Sequence, residues 1–415
     1  MQERIRRLNQ AGARRAGRHV VYWMRWNRRA EANHALAFAA GTANRLELPL
    51  VVFESEDTGN ERQREFARAG AAGNAAAARK GGAGYIFGER TELGRWTRGA
   101  AAVVTDDWPE SLDPLPEFDC EAYAVDSSCV IPGSVIPERS YAAMSIRPKI
   151  HRALPQFLKG APRVNVAAKW EGASPEAPQG SGGRAEGLRA LRRFLEERLH
   201  RYAAEKNEPS KHATSELSAY LHFGHVSSLE VALAVREYAA EHRLMADAFL
   251  EELIVRRELA FNFARTTARV DTLEALPAWA RATLDKHRAD ARDPVYTRTQ
   301  FEEAGTYDDL WNATQKELRR RGRIHGYYRM YWGKKILEWS ATPEEALATM
   351  IELHDRYAID GRDPNTYTNI LWCLGLHDRP WPERAVYGTV RSMGRPGMER
   401  KTDVAAYIRE IEALT

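Results

Sequence analysis

Trp332 and Trp339 stand seven residues apart in the run Arg329-Met330-Tyr331-Trp332-Gly333-Lys334-Lys335-Ile336-Leu337-Glu338-Trp339. A helix there puts both indoles on one face, about 10 Å apart along its axis. A stacked aromatic stripe is usually core packing, because indoles bury so much apolar surface. Indoles at this separation can also pass an electron stepwise to a redox cofactor, and Trp311, on the preceding helical stretch, extends such a chain.

Three further constellations carry chemical potential. Thr214-Ser215-Glu216-Leu217-Ser218 opens a helical stretch with hydroxyls at Thr214, Ser215 and Ser218. Such residues ordinarily cap a helix; beside free helix N–H groups they would also suit a phosphate or pyrophosphate. Glu251 and Glu252 are adjacent acids in an apolar helix, about 100° apart around it, so one can face the interior. A carboxylate facing a cavity would have a raised pKa and could exchange a proton. The more ordinary outcome is a surface pair with Arg256 or Arg257. The loop from His354 to Thr366 crowds acids, arginine, glycine and proline between apolar helices, the punctuation of a binding loop. Asp363 followed by Pro364 also reads as a helix cap with a first-turn proline. The two roles are compatible.

The scaffold that must hold these groups changes character along the chain. Apolar runs His19–Met24, Pro49–Phe53, Gly84–Phe87 and Ala101–Thr105 alternate with helical stretches, the first of them from about Ala30 to Leu46. Continuous apolar strands separated by helices predict a parallel sheet covered on both faces. Residues 1–160 are therefore expected to form a Rossmann-like α/β domain. No Gly-x-Gly-x-x-Gly follows the first strand, so a standard dinucleotide site is not supported there. Residues 161–187 are rich in Pro, Gly, Ser and Ala and read as a linker. From Leu188, Leu191, Phe194, Leu195, Leu199 and Tyr202 onward the spacing is helical, with no strand expected after residue 190. Residues 188–415 are expected to be an all-helical domain.

Composition narrows the function classes. At 415 residues the chain exceeds what one core usually organises. Its 44% hydrophobic and 28% charged residues are ordinary for a globular protein, and no apolar run is long enough to span a membrane. The N-terminus, Met1-Gln2-Glu3-Arg4-Ile5-Arg6-Arg7, lacks the apolar core of a secretory signal. Cys120, Cys129 and Cys373 are too few and too scattered for a disulfide framework or a zinc site, which fits a reducing cytoplasm. A net charge of +4 permits nucleic-acid binding without arguing for it. Two basic clusters interleave with aromatics: Arg319-Arg320-Arg321-Gly322-Arg323 with Lys334-Lys335, and Arg391, Arg395, Arg400 and Lys401. They can neutralise phosphates, or serve as a solvated helix end and tail.

Taken in order, these motifs resemble the photolyase/cryptochrome family, and within it the class II cyclobutane pyrimidine dimer photolyases. The resemblance rests on Tyr22-Trp23-Met24 with Arg29–Leu36, Ile146–His151, Leu221-His222-Phe223-Gly224, Glu252–Leu259, Leu310–Ala313, His325-Gly326, Arg329–Trp332, Lys334–Trp339, Asp360–Asn365, and Arg400-Lys401 with Asp403-Val404. It spans almost the whole chain, strongly from residue 185 and loosely between 55 and 140.

The resemblance implies FAD in the helical domain, which under blue light gives one electron to a pyrimidine dimer and recovers it once the ring has opened. Tyr202, Thr214, Ser215, Leu217 and Ser218 would hold the FAD phosphates. Arg329 and Asp360 would form an ion pair beside the flavin ring, and Asp363 would contact its polar edge. Glu252 would hydrogen-bond to the dimer, stabilising charge as it develops. Met330 and Trp372 would line the lesion pocket, and a damaged pair costs less to flip out than a sound one. Photoreduction would run through Trp332 and then Trp311, with Trp339 a side branch and Tyr296 an outer donor. Arg256, Arg391, Arg400 and Lys401 would meet UV-damaged DNA, with strong salt sensitivity.

Two departures stand out. His354 takes a position where class II enzymes usually carry asparagine near flavin N5, and an imidazole there could change which redox state is stable. Thr366 replaces a glycine that commonly follows the Asp-Pro-Asn segment. Residues 60–83 look shortened and alanine-rich, so an antenna chromophore, a deazaflavin or a folate in relatives, is not identified from residues. The rival expectation is a cryptochrome-like photoreceptor, which the His354 exchange slightly favours. Glu252, Trp372 and the basic clusters favour repair over it, as does the end of the chain at Thr415 without a long extension. The protein is expected to act as a monomer.

Overall fold

The computed structural model describes residues 1–180 and 182–414. They form two compact units, each drawn from three stretches of chain. The sheet unit comprises Met1–Glu138, Pro148–Glu197 and Ser215–Glu258; the helical unit comprises Arg139–Arg147, Arg198–Thr214 and Leu259–Thr415.

In the sheet unit, β1 (Ile5–Arg7), β2 (His19–Met24), β3 (Leu50–Ser55), β4 (Gly84–Gly88), β5 (Ala100–Asp106) and β6 (Glu121–Val125) lie in the order β1-β6-β5-β2-β3-β4. All pairs are parallel except β1 with β6 at the edge. Every residue of β2, β3 and β5 is buried, as continuous apolar runs require of strands covered on both faces. Alternation sorts their side chains: Val20, Tyr22 and Met24 join one core, Val21 and Trp23 the other. Each fully buried Val or Phe there contributes roughly 1.5–3 kcal/mol.

The first helix runs from His34 to Arg45, with Asn33 as its cap accepting the Leu36 N–H at 3.0 Å. That cap moves its start four residues beyond the Ala30 expected from periodicity. At the end of β5, Asp106 accepts the Tyr22 hydroxyl at 2.8 Å and the backbone N–H groups of Arg25, Trp26 and Asn27 at 2.8, 2.8 and 3.1 Å. Leu221-His222-Phe223-Gly224 packs against this loop. The Phe223 carbonyl accepts from the Arg28 N–H at 3.2 Å and the Gly224 carbonyl from the Arg29 guanidinium at 2.9 Å. Gly224 has φ +67°, and any Cβ there would strike the Trp26 backbone. Residues 161–180 and 182 carry no helix or strand, and a helix begins at Gly183, inside the stretch read as linker.

The helical unit is built around Asp309–Arg321, Gly326–Trp339, Pro343–Tyr357, Pro364–Cys373 and Val404–Glu412. Each start but the second has a carboxylate or hydroxyl accepting a first-turn N–H: Asp308, Thr342, Asp363 and Asp403. Gly333 lets three helices close together, since a Cβ there would lie 2.6 Å from Cys373 Sγ and 3.1 Å from Met350 Sδ. Beyond residue 190 the described residues contain no strand, only an isolated bridge between Arg384 and Gly388.

Candidate active site

The helix Gly326–Trp339 carries Trp332 and Trp339, and the helix Asp309–Arg321 carries Trp311; all three indoles are buried to within 1%. Trp332 donates its indole N–H to Gln315 Oε1 at 2.9 Å. Trp311 donates its own to the Trp332 carbonyl at 3.0 Å and meets Trp339 edge-on, ring centroids 6.1 Å apart. Tyr296 packs edge-on against Trp339 at 5.6 Å. Trp311, Trp339 and Tyr296 are therefore linked ring to ring, and Trp332 is tied to Trp311 through its backbone carbonyl.

The helix that carries Trp332 also carries Arg329, one of a set of residues with buried polar atoms that lack a protein partner. His354, on the helix Pro343–Tyr357, is 1% exposed, and neither of its ring nitrogens is hydrogen-bonded. Burial pushes its pKa down to about 3; the Arg329 charge adds to this and Asp360 and Asp363 oppose it. Arg329 Nε and Asp360 Oδ1 are likewise buried and unpartnered. The expected ion pair between Arg329 and Asp360 does not close. Arg329 donates instead to the Ile324 carbonyl at 3.3 Å, while the segment carrying Asp360 is tied by its backbone, whose carbonyl accepts from Thr366 Oγ1 at 2.9 Å. Asp363 caps the helix Pro364–Cys373 through the Asn365 N–H at 2.8 Å, so the capping half of its double reading is realised. Each buried polar group left unsatisfied costs about 1–3 kcal/mol. Several in one place mark a site built for a ligand rather than for folding.

In the same unit, Tyr202 is buried with the Lys206 ammonium 5.8 Å from its ring centroid, and the Thr214 carbonyl accepts from Arg198 at 3.0 Å. Met330 and Trp372 are half-buried, and the Met330 carbonyl accepts from Cys373 Sγ at 3.8 Å.

Ser215, Leu217 and Ser218 belong to the sheet unit. The helix there is only Ser218–His222, and its cap residue, Leu217, makes no side-chain capping bond. Ser215 Oγ instead accepts the Leu217 N–H at 3.4 Å, and Glu216 takes φ +59°. Glu251–Arg256 is π-helical, which aligns residues five apart and pairs Glu251 with Arg256 at 3.5 Å. Glu252 is on the exposed side.

One part of the basic clusters, the lysine pair, is not surface. Lys334 is 1% exposed with its Nζ unpartnered, and burial pushes its pKa down to about 8. Lys335 is buried and bound to Glu338 at 2.7 Å. Arg319 and Arg320 donate to the Glu302 and Ile411 carbonyls, each at 3.1 Å, and Arg321 pairs with Glu410 at 2.7 Å. Arg395 is held by Asp308, Asp309 and Glu399. Helix packing has drawn the two lysines inward and paired Arg321 and Arg395 with carboxylates, while Arg319 and Arg320 stay exposed. Arg400 and Lys401 remain exposed, and Arg391 lies over the Trp381 ring at 4.9 Å.

Sequence reasoning missed a cavity of about 530 Å³ in the sheet unit, lined among others by Met24, Leu36, Val52, Asn74, Lys80 and Val164. Asn74 is anchored there by Glu54 at 2.8 Å. Its lining comes from five separate stretches with no shared motif, so no local signal announces it. Among the described residues no cluster could hold a metal ion, and no helix is long and apolar enough to cross a membrane.

No family model matches the chain. Curated relatives do. The deoxyribodipyrimidine photo-lyase of Methanothermobacter thermautotrophicus is 38% identical over 447 residues, covering 99% of this chain and 98% of the relative. That of Oryza sativa subsp. japonica is 37% identical, covering 99% and 90%. Among solved structures, a class III photolyase from Agrobacterium tumefaciens aligns with TM-score 0.71 at 15% identity, over 97% of this chain and 88% of its own. A Synechocystis sp. cryptochrome aligns with TM-score 0.71 at 15% identity, over 95% and 89%. At such identity the structures show the fold alone, the photolyase/cryptochrome fold with its α/β sheet and helix-rich remainder. With 38% identity across nearly its whole length, this chain belongs to the deoxyribodipyrimidine photo-lyase family.

Proposed function

We propose that this chain repairs cyclobutane pyrimidine dimers in DNA under blue light, using bound FAD, in the manner of class II enzymes. Kinship to proteins named photo-lyases supports DNA photorepair. One observation carries the cofactor: Arg329, His354 and Asp360 bury polar atoms that no protein group satisfies, and Arg329 shares its helix with Trp332. A flavin ring, apolar on its faces and lined with donors and acceptors along one edge, fits that set. When bound, FAD supplies a light-excitable one-electron donor.

The chain's own residues then divide the work. Arg329 offers positive charge to the ring's carbonyl edge. Neutral His354 can donate at one nitrogen and accept at the other, which makes it the residue that selects the ring's protonation state. Asp360 and Asp363 accept N–H groups, and Tyr202 and Thr214 serve the phosphate end. Trp332 and Trp311 deliver electrons inward, with Trp339 and Tyr296 behind them, in a region that excludes water.

Met330 and Trp372 offer the lesion an apolar and a stacking surface. Arg256, Arg391, Arg400 and Lys401 meet DNA phosphates, so binding weakens steeply with salt. The parts given to Ser215, Leu217, Ser218 and Glu252, namely phosphate binding and a hydrogen bond to the dimer, rest on the sequence motif. The cavity in the sheet unit is large and apolar enough for an aromatic antenna chromophore, with Asn74 and Lys80 as its polar contacts.

The test is repair of an oligonucleotide carrying one thymine cyclobutane dimer, with FAD content read from the same sample. Repair in blue light and none in the dark supports the proposal. Bound, photoreducible FAD without repair would move the protein to the photoreceptor reading, and absence of flavin would overturn both.

A further inference from the structure

Aromatic contacts continue beyond Trp339 to the surface of the helical unit. Tyr307 lies edge-on to Trp339, with ring centroids 5.3 Å apart and planes at 60°. It is 65% exposed, whereas Trp339 is 1% exposed. Tyr307 comes from the loop before the helix Asp309–Arg321, and its backbone N–H donates to Tyr296 Oη at 2.9 Å. Trp339 touches Trp311 on its other side at 6.1 Å. Two ring contacts thus lead from Trp311, with no exposure at all, to a phenol in water.

The end of this path is a tyrosine, and that matters chemically. A buried indole that loses an electron stays a cation and draws the electron back. A phenol loses its proton with its electron, and this step needs an acceptor for the proton. Tyr307 has one in water. Tyr296 is half-buried, and its hydroxyl already accepts the Tyr307 N–H.

We propose that Tyr307 is the surface terminus of the aromatic relay, which rests on the reading that bound flavin is reduced through Trp332 and Trp311. One electron passes from Tyr307 to the oxidised indole of Trp339, restoring that indole. The Tyr307 O–H bond breaks, its proton goes to water, and a neutral phenoxyl radical remains at the surface. A soluble thiol returns a hydrogen atom to that oxygen and becomes a thiyl radical, which leaves Tyr307 ready for another cycle. Exposure serves both steps, since the proton must leave and the thiol must approach.

The experiment uses FAD-loaded full-length protein. Tryptophan-radical absorption is followed after a laser flash, and illumination is repeated with a nitroso spin trap in the absence of thiol, followed by peptide mapping. Cleavage after Arg298 places Tyr296 and Tyr307 in different tryptic peptides. The expected result is a trap adduct on the Tyr307 peptide of the unaltered protein. In Tyr307→Phe that adduct disappears and the tryptophan radical persists at least tenfold longer, while Trp311→Phe loses the long-lived signal. A flash signal that depends on Trp311 but not on Tyr307, or an adduct on the Tyr296 peptide instead, would overturn the terminus and leave the relay standing. A flavin-loaded protein with no tryptophan-radical signal would overturn the relay and the terminus together. The adduct on unaltered protein needs no variant, so poor folding of Tyr307→Phe leaves the test intact.

Discussion

In the sheet unit, two buried charges are each held by several partners: Arg29 donates to the carbonyls of Ala32, Gly224 and Ser127 and to Asn27 Oδ1, and Asp106 accepts four donors. In the helical unit, equally buried groups have no partner, as at Lys334 Nζ, Asp360 Oδ1 and both nitrogens of His354. The cost of burying a charge is the same in both places. What differs is what repays it. The charges of Arg29 and Asp106 hold loops in place, whereas under the proposed function the buried groups at His354 and Asp360 are satisfied by the cofactor. Kinship names the reaction class, and the proposed function places its cofactor at the unsatisfied groups around His354.

Substitutions break the contrast most sharply in the sheet unit. Asp106→Ala strands four donors and is expected to cost about 3–5 kcal/mol, read as a lowered urea midpoint. The helical unit should respond in the opposite sense. FAD at a hundredfold excess over its Kd is expected to raise stability by about 2.7 kcal/mol. Lys334→Met, which removes a buried and unpaired ammonium of similar length, should leave the flavin-free protein more stable by about 1 kcal/mol.

Acid sharpens the comparison further. Burial holds His34, His225 and His354 at about 3 and His325 at about 4, all below the ordinary histidine value. Their unfolded forms bind more protons between those values and about 6.5, so stability is complete above that pH and falls as pH drops through the window. Each contributes a slope of about 1.4 kcal/mol per pH unit there. His354→Asn should make the slope shallower by one such group, measured as urea midpoint against pH. A slope unchanged by the substitution would place His354 in water.

Much of this was legible in the sequence, and the failures have physical causes. The strands β2, β3 and β5 announce themselves because a strand buried on both faces must be apolar throughout, and the edge strand β4 by its Tyr85-Ile86-Phe87 run. Edge strand β1 is only Ile5-Arg6-Arg7, and β6 alternates alanine with polar and aromatic residues, so neither carries that pattern. The cap at Asp363 follows from Pro364 beside it. The interior fate of Lys334 and Lys335 does not, because a basic pair in sequence looks like surface until the helix face is known. Thr366 looked like a mere departure, yet its hydroxyl holds the Asp360 carbonyl. The π turn at Glu251–Arg256 and the contact of Tyr307 with Trp339 have no periodic signature at all.

The central claim is that Arg329, His354 and Asp360, each with a buried polar atom that no protein group satisfies, form a flavin site. It is tested most directly by titrating flavin-free protein with FAD and following flavin absorbance and fluorescence. The account predicts one FAD per chain. It also predicts an affinity at least tenfold weaker, about 1.4 kcal/mol, when Arg329→Ala and Asp360→Ala are combined, with no loss of flavin-free stability. FAD binding that ignores both substitutions, or no binding at all, would contradict it.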